Sequence, residues 1–179
     1  AVLVGQGGFG PGAQHVVRLD ASGATVIAEG FGSLGGFALA ADGTLYVVDN
    51  CFAGDFGCDG ATTGDTAYAI PDALARTVPI AAADAEVLPA GSIPAAFDVL
   101  VHPALGLLVS DAAGPGAGRV VRIAGGAATT LLGGFDFTAG IATQGDRLLV
   151  GNTDPGFVGS VRIFESGAAP GTTLVDGLS

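Results

Sequence analysis

The residues best suited to chemistry sit in one loop. Between Cys51 and Asp65 the chain reads CFAGDFGCDGATTGD, which sets Asp55, Asp59 and Asp65 among glycines beside Thr62 and Thr63. Carboxylates on a pliant loop suit calcium, a hard cation that accepts carboxylate and carbonyl oxygens in irregular geometry. The spacing is not that of an EF-hand, whose ligands alternate through a twelve-residue loop, so the competing reading is an acidic loop that is simply solvated. Cys51 and Cys58 are the two cysteines of the chain and enclose only a short segment. A disulfide between them is expected, with two free thiols as the alternative, and the bridge would imply a periplasmic or extracellular home. Two cysteines with no histidine nearby in sequence do not complete a zinc site.

Elsewhere the chemistry-bearing residues are sparse. Ser110, His102 and Asp98 can be assembled on paper into a nucleophile, base and acid, because such sets are defined by geometry and not by order. No GxSxG elbow presents the serine, however, and His15 begins an apolar run with no partner in sequence. The glycine-rich runs GQGGFGPG (5–12) and AAGPGAG (112–118) resemble phosphate cradles only in composition. Each joins two apolar segments and offers no helix N-terminus to an anion, so both read as loops. Asp49, Asp111 and Asn152 recur at one position after similar apolar runs, and short Asx side chains there are expected to bond nearby backbone N–H groups. Arg18, Arg122 and Arg162 recur within VR-containing runs and are expected to face solvent or to pair with carboxylates of a neighbouring sheet.

These residues need a scaffold, and the composition says which kind. A hydrophobic fraction of 49% supplies a core, and the 32 glycines and 9 prolines are interleaved with Val, Leu, Ile and Phe, as turn residues between strands are. The composition is all-β. Formal net charge is −11, there is no lysine and the six arginines are scattered, so the chain lacks the basic footprint of a nucleic-acid binder. The same acidity opposes adsorption to anionic lipid, and no apolar run reaches the roughly 18 residues that a membrane-spanning helix needs. No signal-peptide pattern and no methionine are present, so the stretch reads as a mature or trimmed product.

The scaffold is repetitive. LLVSDAAGPGAGRVVRI (107–123) returns 41 residues later as LLVGNTDPGFVGSVRIF (148–164), and self-similarity at a fixed period signals a repeat architecture. Three strand-turn-strand units begin at FALAADGTLYVVDN (37–50), FDVLVHPALGLLVSDA (97–112) and AGIATQGDRLLVGNT (139–153). Asp42-Gly43 and Gly145-Asp146 provide the positive φ of tight hairpins, and His102-Pro103 opens a longer turn. Third strands follow at 15–20, 119–124 and 160–165, with fourth strands at 24–30, 128–134 and 171–177. The second unit carries an insertion from Cys51 onward, after which AYAIPD (67–72) supplies its third strand and 73–88 leads to its fourth, with one helical turn.

Four antiparallel strands in roughly 40 residues is the length of a propeller blade. The expected fold is therefore a β-propeller of about four blades, as one partial propeller over 1–179. Its blades are expected at 1–34, 35–92 with the disulfide-loop insertion, 93–135 and 136–179. The first blade lacks an innermost strand and nothing after the fourth fills the gap, so the ring is expected to be incomplete in this chain. Either missing blades or a protein partner would cover its open ends.

The unit ALAADGTLYVVDN (38–50) resembles the repeats of NHL and SMP-30/gluconolactonase-like propellers, in which an apolar strand, a D-G turn and an LYVAD-like strand recur. The likeness runs from Phe37 to Phe164. It implies a propeller and, for the lactonases of this group, a Glu, two Asn and an Asp around a divalent cation near the starts of innermost strands. Asp98 is the one residue at those starts with a suitable oxygen, since Phe37, Phe97 and Gly140 supply none. Two functions are thus in play. One is a non-catalytic, secreted or periplasmic binding or scaffold module belonging to a longer chain or an assembly. The other is a metal-dependent lactonase-type hydrolase whose further ligands lie outside this stretch.

Overall fold

In the computed structural model the residues described are 1–8, 12–49, 66–88 and 93–178. The loop bearing Cys51, Cys58, Asp55, Asp59 and Asp65, and with it the expected disulfide and calcium site, lies outside them.

The described residues form an all-β structure of four four-stranded sheets. The chain opens with β1 (Val2–Gln6), β2 (Gln14–Asp20) and β3 (Gly23–Phe31), an antiparallel meander. A second meander follows as β4 (Leu34–Leu39), β5 (Leu45–Asp49) and β6 (Thr66–Ile70). Next comes β7 (Ile80–Ala81), which returns to the first sheet and pairs in parallel with β3, so the first sheet runs β1-β2-β3-β7. A single 3-10 turn at Ala82–Asp84 leads to β8 (Glu86–Leu88), which completes the second sheet on β6.

The third sheet, β9 (Ala96–His102), β10 (Gly106–Asp111), β11 (Gly118–Ala124) and β12 (Ala127–Phe135), and the fourth, β13 (Phe137–Gln144), β14 (Arg147–Thr153), β15 (Gly159–Phe164) and β16 (Thr172–Leu178), are uninterrupted up-and-down meanders.

Turn chemistry accounts for the hairpins. Gly43 (φ +88) and Gly145 (φ +66) take the left-handed backbone of the tight turns, and Asp42 accepts the Thr44 N–H at 2.9 Å. At the longer β9–β10 turn the fully buried His102 accepts the N–H groups of Ala104 and Leu105 on Nδ1, at 3.1 and 3.2 Å. That fixes its tautomer, with the proton on Nε2.

The core consists of three apolar layers, each shared by two consecutive sheets. Val16, Ile27 and Phe31 of the first sheet meet Leu45, Val47 and Tyr68 of the second, and Phe31 sets its ring edge-on to Tyr68 at 5.5 Å. Val48 and Ala67 on the opposite face of the second sheet meet Val99, Val109 and Val121 of the third. Leu108, Val120 and Phe135 on the far face of the third meet Ile141, Leu148 and Phe164 of the fourth. Alternation thus buries both faces of the two middle sheets, so β6 is buried at every position.

The outermost faces are apolar as well, and among the described residues they are in part exposed. Val2, Val4 and Leu19, whose cross-strand pairing puts them on one side of the first sheet, are 62, 39 and 42% exposed. On the last sheet Leu149, Gly151 and Val161 line a shallow open depression, and every residue of β16 is exposed.

Candidate functional site

Three strands beginning their sheets, β4, β9 and β13, pack side by side, and what positions them is a repeated clamp. Asp49, fully buried, accepts the N–H groups of Gly32 and Ser33 at 2.9 and 2.8 Å. Asp111, also fully buried, accepts the Ala95 N–H at 3.0 Å and the Arg119 guanidinium at 2.8 Å. Asn152 accepts the Asp136 N–H at 2.9 Å. The recurring Asx residues do bond backbone donors, but the donors lie 16 or 17 residues upstream, in the segment that enters the same sheet. Each side chain at the end of a second strand thereby pins the entrance of its first strand.

Between these entrances sits Asp98. Its Oδ1 accepts the N–H of Val99 and its Oδ2 that of Ile141 on the next sheet, both at 2.9 Å. Ser110, opposite Asp98 across the β9–β10 ladder, accepts the Asp98 N–H and donates to the Ala139 carbonyl at 2.6 Å. Two hydrogen bonds therefore tie β13 to the third sheet. Gly35 and Gly36 make the approach from the other side possible: a Cβ at Gly36 would collide with Oδ1 of Asp98, and one at Gly35 with the Phe97 carbonyl. Burial pushes the Asp98 carboxyl above its ordinary 3.8, against the opposing pull of the Ile141 and Val99 N–H groups.

The same entrances form a half-open, largely apolar hollow of about 290 Å³, lined by Phe97, Phe137 and Phe157 with Ala112, Thr138, Ala139 and Thr153. Phe157 comes from the β14–β15 loop. The hollow leaves no pattern in the sequence because its walls come from four separate segments. The one available signal was an aromatic side chain in the turn DPGFVG.

Ser110 and Asp98 are neighbours, but His102 lies at the far end of β9, four residues on, or about 13 Å along a strand. Its Nδ1 is committed to the turn, so Ser110, His102 and Asp98 do not form a catalytic set. His15 pairs with Gln6 across the first ladder, Nε2 to Oε1, at 3.0 Å. In the 112–118 loop the Gly116 N–H is taken by the Asp136 carboxylate, and the loop closes on itself through Gly114.

The three repeated arginines meet three environments. Arg18 is buried, donating to the carbonyls of Leu74 and Arg76 and to Asp20 at 2.6 to 3.0 Å. Arg122 is exposed, and Arg162 lies over the rings of Phe135 and Phe164 at 5.8 and 5.4 Å. The expectation of solvent or carboxylate partners therefore fits Arg122 alone in full. Segment 74–76 covers Arg18, and two phenylalanines at the third interface cover Arg162.

Among the described residues no three His, Cys, Asp or Glu side chains converge on a point that could hold a metal, and no helix is long and apolar enough to cross a membrane. What the entrances hold is an apolar, aromatic-walled recess. Scanned against known protein families, the chain matches no family model. A search of curated proteins likewise returns no match.

Proposed function

We propose that the chain is a run of propeller blades, one per sheet, that acts as a non-catalytic binding or scaffold module. The observation that supports this most directly is the serial stacking: each apolar layer joins one sheet to the next in sequence, while β4, β9 and β13 lie together as strands around an axis would. The resemblance of ALAADGTLYVVDN (38–50) to NHL and SMP-30/gluconolactonase-like repeats agrees with that arrangement. The exposed apolar residues on the outer faces of the first and last sheets, among the described residues, would mark the ends of an open ring, where further blades or a partner chain would stack as the interior sheets do. Recognition would fall to the loops at the sheet entrances, which a rigid scaffold holds in place. With a disulfide between Cys51 and Cys58, the module belongs to an oxidising compartment, periplasmic or extracellular.

Light scattering of the purified chain from about 1 μM upward, the weak end of the affinities that standard interfaces reach, tests the open ring. Self-association is expected, and a stable monomer across that range would refute it. Intact mass after alkylation, with and without prior reduction, tests the disulfide.

The metal-dependent hydrolase reading has one observation on its side, the carboxyl of Asp98 on a strand that begins its sheet. Elemental analysis with a lactone-hydrolysis assay decides between the two. A tightly held divalent metal together with EDTA-sensitive turnover would replace the binding module by an enzyme.

A further inference from the structure

Among the described residues, the hollow at the sheet entrances is walled by three aromatic rings. Phe97, Phe137 and Phe157 are 45, 38 and 83% exposed around it, whereas large apolar side chains on a surface ordinarily occur singly. The loop that carries Phe157 is closed by four hydrogen bonds. Asp154 Oδ1 accepts the N–H groups of Gly156 and Val158 at 2.8 and 2.9 Å. The Phe157 N–H reaches the Asp154 carbonyl at 2.9 Å, and the Asp154 N–H reaches that of Val158 at 3.0 Å. These bonds hold Phe157 at φ +63, a left-handed backbone that glycine would adopt without strain. An exposed ring carried on a strained, over-determined backbone is a group set in advance for a contact, and such strain gathers at ligand clamps.

We propose that this hollow binds a small, uncharged aromatic molecule of one or two fused rings, with the Phe157 ring as one of its walls. Size sets the ring count, since a cavity of about 150 Å³ accepts benzene and this one is about 290 Å³ with one side open. Chemistry sets the class: the rings favour stacked or edge-on contact with another flat apolar group. A net charge of −11 disfavours an organic anion. The site goes beyond the binding-module reading and holds whether or not the sheets surround an axis.

The test is a fluorescence titration of the whole chain with 1-naphthylamine, an uncharged probe of two fused rings at pH 7, in parallel with 5-aminonaphthalene-1-sulfonate, an anion on the same ring system. The expected result is saturable one-to-one binding of the neutral probe, weakened roughly tenfold by Phe157→Gly, with the sulfonate binding more weakly. Glycine at 157 keeps the turn and removes only the ring, and Phe97→Ser gives the same answer should that variant fail to fold. Val175→Thr, on the open face of the last sheet, is expected to leave binding unchanged. The proposal is overturned by an absence of saturable binding or by equal affinity for the sulfonate. It is also overturned if Phe157→Gly stays within twofold of the parent, or if Val175→Thr weakens binding as much.

Discussion

Replacing Asp49 by alanine probes the clamp at the entrance of the second sheet. The carboxylate is fully buried and accepts two backbone N–H groups, from Gly32, itself buried, and from Ser33, half-buried. Alanine leaves both donors without a partner, and a stranded buried donor costs about 1–3 kcal/mol, less where water can reach it. The Gly32 donor bears the full cost and the Ser33 donor part of it, so Asp49→Ala should cost about 2–4 kcal/mol. Against a typical total of about 5–15 kcal/mol for a domain, that is a large fraction.

Asp49→Asn keeps one acceptor and turns an amide N–H toward the other donor, so it should fall between alanine and the parent. Asn152 satisfies a single donor, Asp136, and Asn152→Ala should cost about 1 kcal/mol. Urea denaturation at pH 7, with the slope checked for constancy, measures all three. If Asp49→Ala and Asn152→Ala agree to within about 0.5 kcal/mol, the idea that the clamp acts by satisfying counted donors is wrong.

Three further perturbations follow from the same geometry. Gly36→Ala drives a methyl group into Oδ1 of Asp98 and should cost about 1–3 kcal/mol; in the Asp98→Ala background the penalty should shrink by at least about 1 kcal/mol, and strict additivity would refute the contact. Arg18→Met removes the donors that hold the Leu74 and Arg76 carbonyls, so hydrogen exchange at the Ala75 amide, bonded to Asp72, should quicken; unchanged exchange there would show that Arg18 does not tether the segment. Asp98, with its folded pKa raised, contributes stability that is complete below its ordinary 3.8 and is lost as pH rises through the folded value. The stability of the parent relative to Asp98→Asn should therefore be greatest near pH 3.5 and decline upward, and a difference independent of pH would contradict the burial argument.

The strands were largely legible because two signals coincided. Alternation marked 119–124 and 160–165, observed as β11 and β15, and glycine or aspartate turns bounded the hairpins at 43 and 145. Where only one signal existed the reading fell short. The first strands of the second and fourth sheets start at Leu34 and Phe137, ahead of the Phe37 and Ala139 suggested by apolar runs, since Gly35 and Gly36 interrupt the pattern where the third sheet comes close and Gly140 interrupts it in β13. The pairing of Ile80 and Ala81 with β3 left no trace in sequence, being two residues long and parallel.

Of the candidate site, Asp98 stood out because a carboxylate is conspicuous in an apolar strand. Its partner at Ile141 did not, because a backbone N–H carries no signature. The hollow was hidden for a related reason: Phe97, Phe137 and Phe157 are far apart in the chain and become neighbours only when two sheets dock. The buried state of Arg18 was invisible because the same VVR text serves at Arg122, whose side chain is exposed.

The clamps bear on how the molecule comes into being. Each joins residues no more than 17 apart, and the third and fourth sheets are built from unbroken stretches of chain. A polypeptide leaving the ribosome can thus finish and lock one sheet before the next has been synthesised, and short loop closures favour rapid assembly. The exception is β7, made after β6 yet belonging to the first sheet. The opening two sheets must mature as a pair, and a nascent chain halted between Ile70 and Ile80 would hold its first sheet one strand short.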